Sequence, residues 1–144
     1  MNGMNKIIIL DLDGVLITTP HWKPDRMHKD GYSDFNADSV EKLNRILEFT
    51  GYKIVLSSTR RKRVDKDRMN EYFKARGIIQ EIVAYVPDYD VEGERSLTRR
   101  EELERFISEH KPEEYFILDD DKSLFGASED IKSRWIQVDP MKGL

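Results

Sequence analysis

Lys6-Ile7-Ile8-Ile9-Leu10-Asp11-Leu12-Asp13-Gly14-Val15-Leu16 is the stretch that decides the fold. Four aliphatic residues run straight into two carboxylates one residue apart, and a glycine follows. The apolar run reads as a buried strand, with Gly14 as the point where the chain turns off its end. Two acids at the carboxyl end of a buried strand are costly unless something compensates them, and a divalent cation is the commonest compensator.

Outward from this strand the same grammar repeats. Lys53-Ile54-Val55-Leu56, 82–86, 114–118 and 135–138 read as four further strands. Between them, Asp38 is placed to cap a helix whose apolar face is Val40, Leu43, Ile46 and Leu47, closed by Gly51. A polar helix over 64–76 turns Met69, Tyr72 and Phe73 inward, and a third over 99–110 turns in Leu103, Phe106 and Ile107. Thr98 with Glu101 or Glu102 resembles a capping box. Residues 18–35 and 88–96 read as loops, the second acidic, and the connection from 119 to 134 has little pattern. Strands alternating with helices give an α/β fold, a Rossmann-like parallel sheet flanked by helices on both faces, as a single domain over 1–144. In such folds the site lies at the carboxyl ends of the strands.

Three of those ends carry residues that a site of this kind needs. Asp11 and Asp13 close the first strand, and Gly14 lets the chain swing so that the two carboxylates face different atoms. Asp119-Asp120-Asp121 closes the fourth, where successive acids repel one another unless a cation sits beside them. Ser57, Ser58 and Arg60 close the second, offering a hydroxyl, backbone amides and a bidentate guanidinium for phosphoryl oxygens. Arg99 or Arg100, at a helix start where a cation opposes the macrodipole, is a candidate for one more positive charge. The run Arg60-Arg61-Lys62-Arg63, continued by Lys66 and Arg68, reads equally well as a solvated helix face or as an attractor of polyanions.

Composition sets the boundaries. A hydrophobic content of 38% beside 36% charged residues suits a thin core and solvated helices. The net charge of −4 argues against generic affinity for nucleic acid or membranes. The absence of cysteine excludes disulfides, thiolate metal sites and a thiol nucleophile, and three scattered histidines disfavour zinc. A metal site here must be oxygen-rich, which favours Mg²⁺. Residues 7–10 are too short for a leader core or a span, so no membrane partner is expected and the expected location is cytoplasmic.

Taken in order, these groups resemble the four motifs of the haloacid dehalogenase (HAD) superfamily over nearly the whole chain. The resemblance implies Asp11 as the nucleophile that forms an aspartyl-phosphate. Asp13 would be the general acid and then the general base, Ser58 (or Ser57) the second-motif residue, and Arg99 the third. Asp119 and Asp120 would be the fourth-motif acids. The implied cofactor is Mg²⁺, held by Asp11, Asp13 (through its carbonyl), Asp119 and Asp120, with Ser57, Ser58 and Arg60 on the substrate phosphate. Ser58-Thr59-Arg60 is similar to the Ser-x-Arg of polynucleotide kinase-phosphatases. Arg99-Arg100-Glu101-Glu102-Leu103 with Gly143-Leu144 resembles HAD domains of bacterial RNA-repair proteins. Arginine in the third motif departs from the usual lysine.

Between Asp13 and Ser58 there is no room for a folded cap, so the implied site is open. An open site suits a bulky phosphorylated substrate such as a nucleic-acid 3′-end, with His21, Trp22 and Tyr32 of the 18–35 loop as candidate contacts. The expected function is a Mg²⁺-dependent phosphomonoester hydrolase. A small-metabolite phosphatase and an aspartate-phosphorylated signalling module are the alternatives.

Overall fold

The computed structural model describes residues 5–20, 22–89 and 97–144. Lys6–Leu10 (β1) is the centre of a five-stranded sheet whose pairs are all parallel. Lys53–Leu56 (β2) lies on one side with Ile82–Tyr85 (β3) beyond it; Glu114–Asp119 (β4) lies on the other with Trp135–Gln137 (β5) outside. The order β3-β2-β1-β4-β5 makes the β1/β4 boundary the place where the winding reverses, and a crevice opens there beyond the strand ends.

The sheet is covered on both faces because β1 alternates between two cores. Ile8 and Leu10 join Ile54, Leu56 and Leu118 against the helices Ala37–Thr50 (α1) and Lys66–Ala75 (α2), which contribute Leu43, Leu47, Met69 and Phe73. Ile7 and Ile9 join Val55, Tyr115 and Ile117 against Arg99–His110 (α3) and Glu129–Ser133 (α4), through Leu103, Phe106 and Ile131. An aliphatic run buried on both faces is what a central parallel strand requires.

Several local expectations change. Asn36, not Asp38, caps α1, accepting from the backbone N–H groups of Asp38 and Ser39, while Asp38 sits in the first turn as a favourable acid. The helix expected over 64–76 begins at Lys66, because Asp65 caps it and Thr59–Lys62 forms a separate 3₁₀ turn. The weakly patterned connection before β5 contains a 3₁₀ turn at Lys122–Gly126 and the short α4. Thr98 and Glu101 do form a capping box. The acidic loop lies, from Asp90 onward, outside the described residues. Among the described residues no helix is long and apolar enough to cross a membrane, and no domain is inserted between β1 and α1.

Candidate active site

Asp11 is fixed from both sides of the sheet. Its N–H donates to the Leu118 carbonyl at 3.0 Å, and the Leu10 carbonyl accepts from the N–H of Ser57 at 2.8 Å and from its hydroxyl at 3.2 Å. Past Leu12 the chain coils tightly: the Leu12 carbonyl accepts from the N–H groups of Val15, Leu16 and Ile17. This coil keeps Asp11 and Leu12 buried and lifts Asp13 to the surface, with its side chain 54% exposed.

Gly14 is required twice over. Its φ of +83° is left-handed, and a β-carbon there would lie 2.1 Å from Oδ2 of Asp120. Gly14→Ala is therefore expected to displace Asp120 and to weaken Mg²⁺ binding about tenfold or more. Titration calorimetry would read this directly, and unchanged affinity would refute it.

β4 brings its acids to the same place. Carboxylate oxygens of Asp11, Asp119 and Asp120 lie within 4.8 Å of one another, with Asp11 and Asp119 buried and Asp120 half-buried. Asp121 stands apart, capping the following 3₁₀ turn through the N–H of Ser123. Burial raises all three clustered carboxyls above the ordinary range. Arg99 opposes this at Asp11, whereas Asp11 adds to it at Asp119, and Asp120 is pushed up to about 6.

Arg99 at the first turn of α3 is the buried counter-charge. Its Nη1 is 2.9 Å from Asp119, 3.4 Å from Asp11 and 3.3 Å from the Ser57 hydroxyl. Arg100 instead points to the Gly126 carbonyl, away from the acids. Behind Arg99, Glu102 bridges to the buried Arg61. Four carboxylates, Asp11, Glu102, Asp119 and Asp120, thus face two guanidiniums, Arg61 and Arg99, leaving two negative charges in excess at full ionisation. An all-oxygen set short of two positive charges fits a hard divalent cation.

A carboxyl whose folded-state pKa lies above its unfolded one stabilises the protein while protonated. The contribution of Asp120 is complete below about pH 4 and is lost as the pH climbs through about 6, and Asp11 and Asp119 shift in the same direction. The metal-free acids are expected to lower the melting temperature between about pH 5 and 7. Mg²⁺ held by the ionised carboxylates would then raise it more at the higher pH. Thermal melts with EDTA and with Mg²⁺ check this, and an equal or larger Mg²⁺ gain at pH 5 would contradict it.

The end of β2 differs most from the sequence expectation. The Ser57 hydroxyl meets Arg99, but the Ser58 hydroxyl accepts from the N–H of Arg60 and caps the 3₁₀ turn. Arg60 is not an open fork. Its Nε and Nη2 each hold an oxygen of Asp13 at 2.9 Å, Nη2 also reaches Asp25 at 3.0 Å, and Nη1 donates to Tyr32 and Ser33. The basic run is likewise divided: Arg61 is internal, Lys62 pairs with Asp88 and Arg68 with Glu71. Asp25, Ser33, Arg61 and Glu102 are participants the sequence reading missed; only the three-dimensional return of the 18–35 loop and of α3 reveals them.

Residues 30–33 of that loop are tied down. Arg76 forks onto Asp30 at 2.6 and 2.9 Å and donates to the carbonyls of Tyr32 and Ser33, while Tyr32 stacks on Tyr72 with 4.2 Å between ring centres. Tyr32 is therefore an anchor. Trp22 is 64% exposed, and His21 lies outside the described residues. A cavity of about 420 Å³ opens beside the acids, lined by Asp13, Thr19, Lys23, Asp25, Asp120 and Met141. A separate groove of about 560 Å³ lies along Tyr32, Thr59, Arg60, Lys62 and Arg63.

No curated protein matches the chain. Residues 7–144 match the family described as the HAD domain in Swiss Army Knife RNA repair proteins. That match spans the acid-bearing strand ends and α3, and the HAD superfamily generally uses Mg²⁺, in keeping with the buried acid cluster. The parallel sheet with its acids at the winding reversal and the family match agree: the chain belongs to the HAD superfamily, in the family of HAD domains found in Swiss Army Knife RNA repair proteins.

Proposed function

We propose that this domain is a Mg²⁺-dependent phosphomonoesterase that removes phosphate from nucleic-acid 3′-ends through an aspartyl-phosphate on Asp11. The observation that carries the reading is the buried acid cluster at the β1/β4 crevice, in excess by two charges, with a second carboxylate raised beside it on a tight coil.

An Oδ of Asp11 attacks phosphorus, the bond to the ester oxygen breaks, and the departing oxygen takes a proton from Asp13. Water then attacks the phosphorus, giving its proton to Asp13, and the Asp11–phosphorus bond breaks to release inorganic phosphate. Over the two steps together Asp11 returns to its free carboxylate and Asp13 to its protonated form. Arg99 holds Asp11 and Asp119 in place and brings positive charge next to the reacting group. Asp11, Asp119 and Asp120 are the residues that would hold Mg²⁺, with Asp13 contributing its carbonyl, since its carboxylate is engaged by Arg60. Bound there, Mg²⁺ neutralises charge on the phosphoryl oxygens.

Two observations favour a nucleic-acid end over a small metabolite. The matched family is named for RNA repair proteins, and no folded cap covers the crevice among the described residues. Phosphate release from a 3′-phosphorylated oligoribonucleotide should require Mg²⁺, stop with EDTA, and exceed that from sugar phosphates in kcat/KM. Turnover that persists in EDTA would overturn the mechanism; preference for sugar phosphates would overturn the substrate.

A further inference from the structure

We propose that Asp25, on the long loop between β1 and α1, is a positioning residue: with Ser33 it fixes Arg60, which in turn aims the carboxylate of Asp13 at the leaving group. The inference rests on the reading of Asp13 as the general acid and goes beyond it, because no motif includes Asp25.

Asp13 sits on an exposed coil, and nothing in its own strand holds the carboxylate in one orientation. Proton transfer needs the acid within hydrogen-bond reach of the ester oxygen, and a small misplacement there costs rate steeply. The planar fork of Arg60 fits a carboxylate and fixes both oxygens at 2.9 Å. Arg60 is itself long and flexible, so the fork holds a direction only if the guanidinium is held elsewhere.

Its other N–H groups all go to the loop: Asp25, Tyr32 and Ser33. Asp25 supplies the charged contact among these, at 3.0 Å, and its carboxylate accepts the Ser33 hydroxyl, which itself accepts from Arg60. Ser33 and Tyr32 are anchored in turn through their carbonyls by Arg76. An unbroken chain of contacts therefore runs from α2 through the loop to Arg60 and Asp13. The arrangement also explains why Arg60 has no donor left for a substrate phosphate.

A positioning role predicts a split between leaving groups that a merely structural role does not. The value of kcat/KM reports steps up to the first phosphoryl transfer, where an alkoxide needs the proton of Asp13 and a p-nitrophenolate does not. Asp25→Asn should lower kcat/KM for a nucleoside 3′-monophosphate about tenfold or more, and for p-nitrophenyl phosphate by a much smaller factor. Asp25→Glu should recover part of the loss, and Asp13→Asn should show the same selectivity more strongly. Circular dichroism and thermal melts confirm that each variant is folded.

Equal losses on both esters, or no loss on either, would overturn the proposal. Asp11→Asn is measured alongside. If it retains turnover, the parent mechanism fails; if it is inert while Asp25→Asn leaves the ratio between the two esters unchanged, only the inference about Asp25 fails.

Discussion

Asp11→Asn should give a folded protein that melts no lower than the wild type in EDTA, yet turns over phosphate esters on the order of 10⁴-fold more slowly or worse. The two effects have opposite signs for one reason. Burial raises the pKa of the Asp11 carboxyl, and its charge adds to the burial that raises Asp119 and Asp120. An amide of the same shape removes that charge, and Arg99 keeps its 2.9 Å partner in Asp119. The same amide lacks the nucleophilic carboxylate, so the first step of the proposed reaction would be lost. Mg²⁺ should also stabilise the variant less than the wild type, since one of three charged ligands has become neutral. Phosphate release and thermal melts with and without Mg²⁺ measure all three quantities. Wild-type turnover by the variant would remove Asp11 from the mechanism.

Arg61→Met is expected to be the most damaging single change to stability. Arg61 points inward from the 3₁₀ turn with its side chain 2% exposed, and every donor is used. Nε donates to the Val86 carbonyl, Nη1 to the carbonyls of Ser57 and Ser58, and Nη2 to the Pro87 carbonyl and to Glu102. It thereby ties the ends of β2 and β3 to α3. Methionine fills much of the volume but leaves a buried carboxylate and four carbonyls without that partner, a loss of about 3–5 kcal/mol by analogy with broken buried pairs. For a domain of this size that corresponds to a drop in melting temperature of roughly 10 °C. Adding Glu102→Gln should recover part of the loss, because the uncompensated charge is then gone. Chemical denaturation of the two variants tests the account, and a cost below about 1 kcal/mol would show that the pair contributes little.

Why some of this was legible in sequence, and some not, follows from the range of the interactions. β1, β2 and β4 announce themselves as aliphatic runs, and Asp11 with Asp119 and Asp120 stand where those runs stop; adjacency along the chain was enough. The acid cluster needed only one inference beyond that, that β4 lies beside β1. Asn36 and Asp38 are equally good caps two residues apart, so local chemistry could not choose between them. Arg61 was invisible in a different way. In a run of four basic residues the charge pattern does not show which guanidinium turns under the chain, and that depends on carbonyls at residues 86 and 87 and a carboxylate on α3. Asp25 and Ser33 lie in a stretch without periodicity, and their partner Arg60 comes from the far side of α1.

The anchoring of the 18–35 loop by Arg76 and the Tyr32–Tyr72 stack bears on kinetics as well as on shape. Residues 30–33, braced against α2 before substrate arrives, need no ordering step of their own, so neither entry nor product departure should wait on a slow rearrangement of that stretch. Selectivity at that stretch should then come from how much of a substrate it can touch. Small esters and long strands should meet the same chemistry and differ mainly in how tightly they are held.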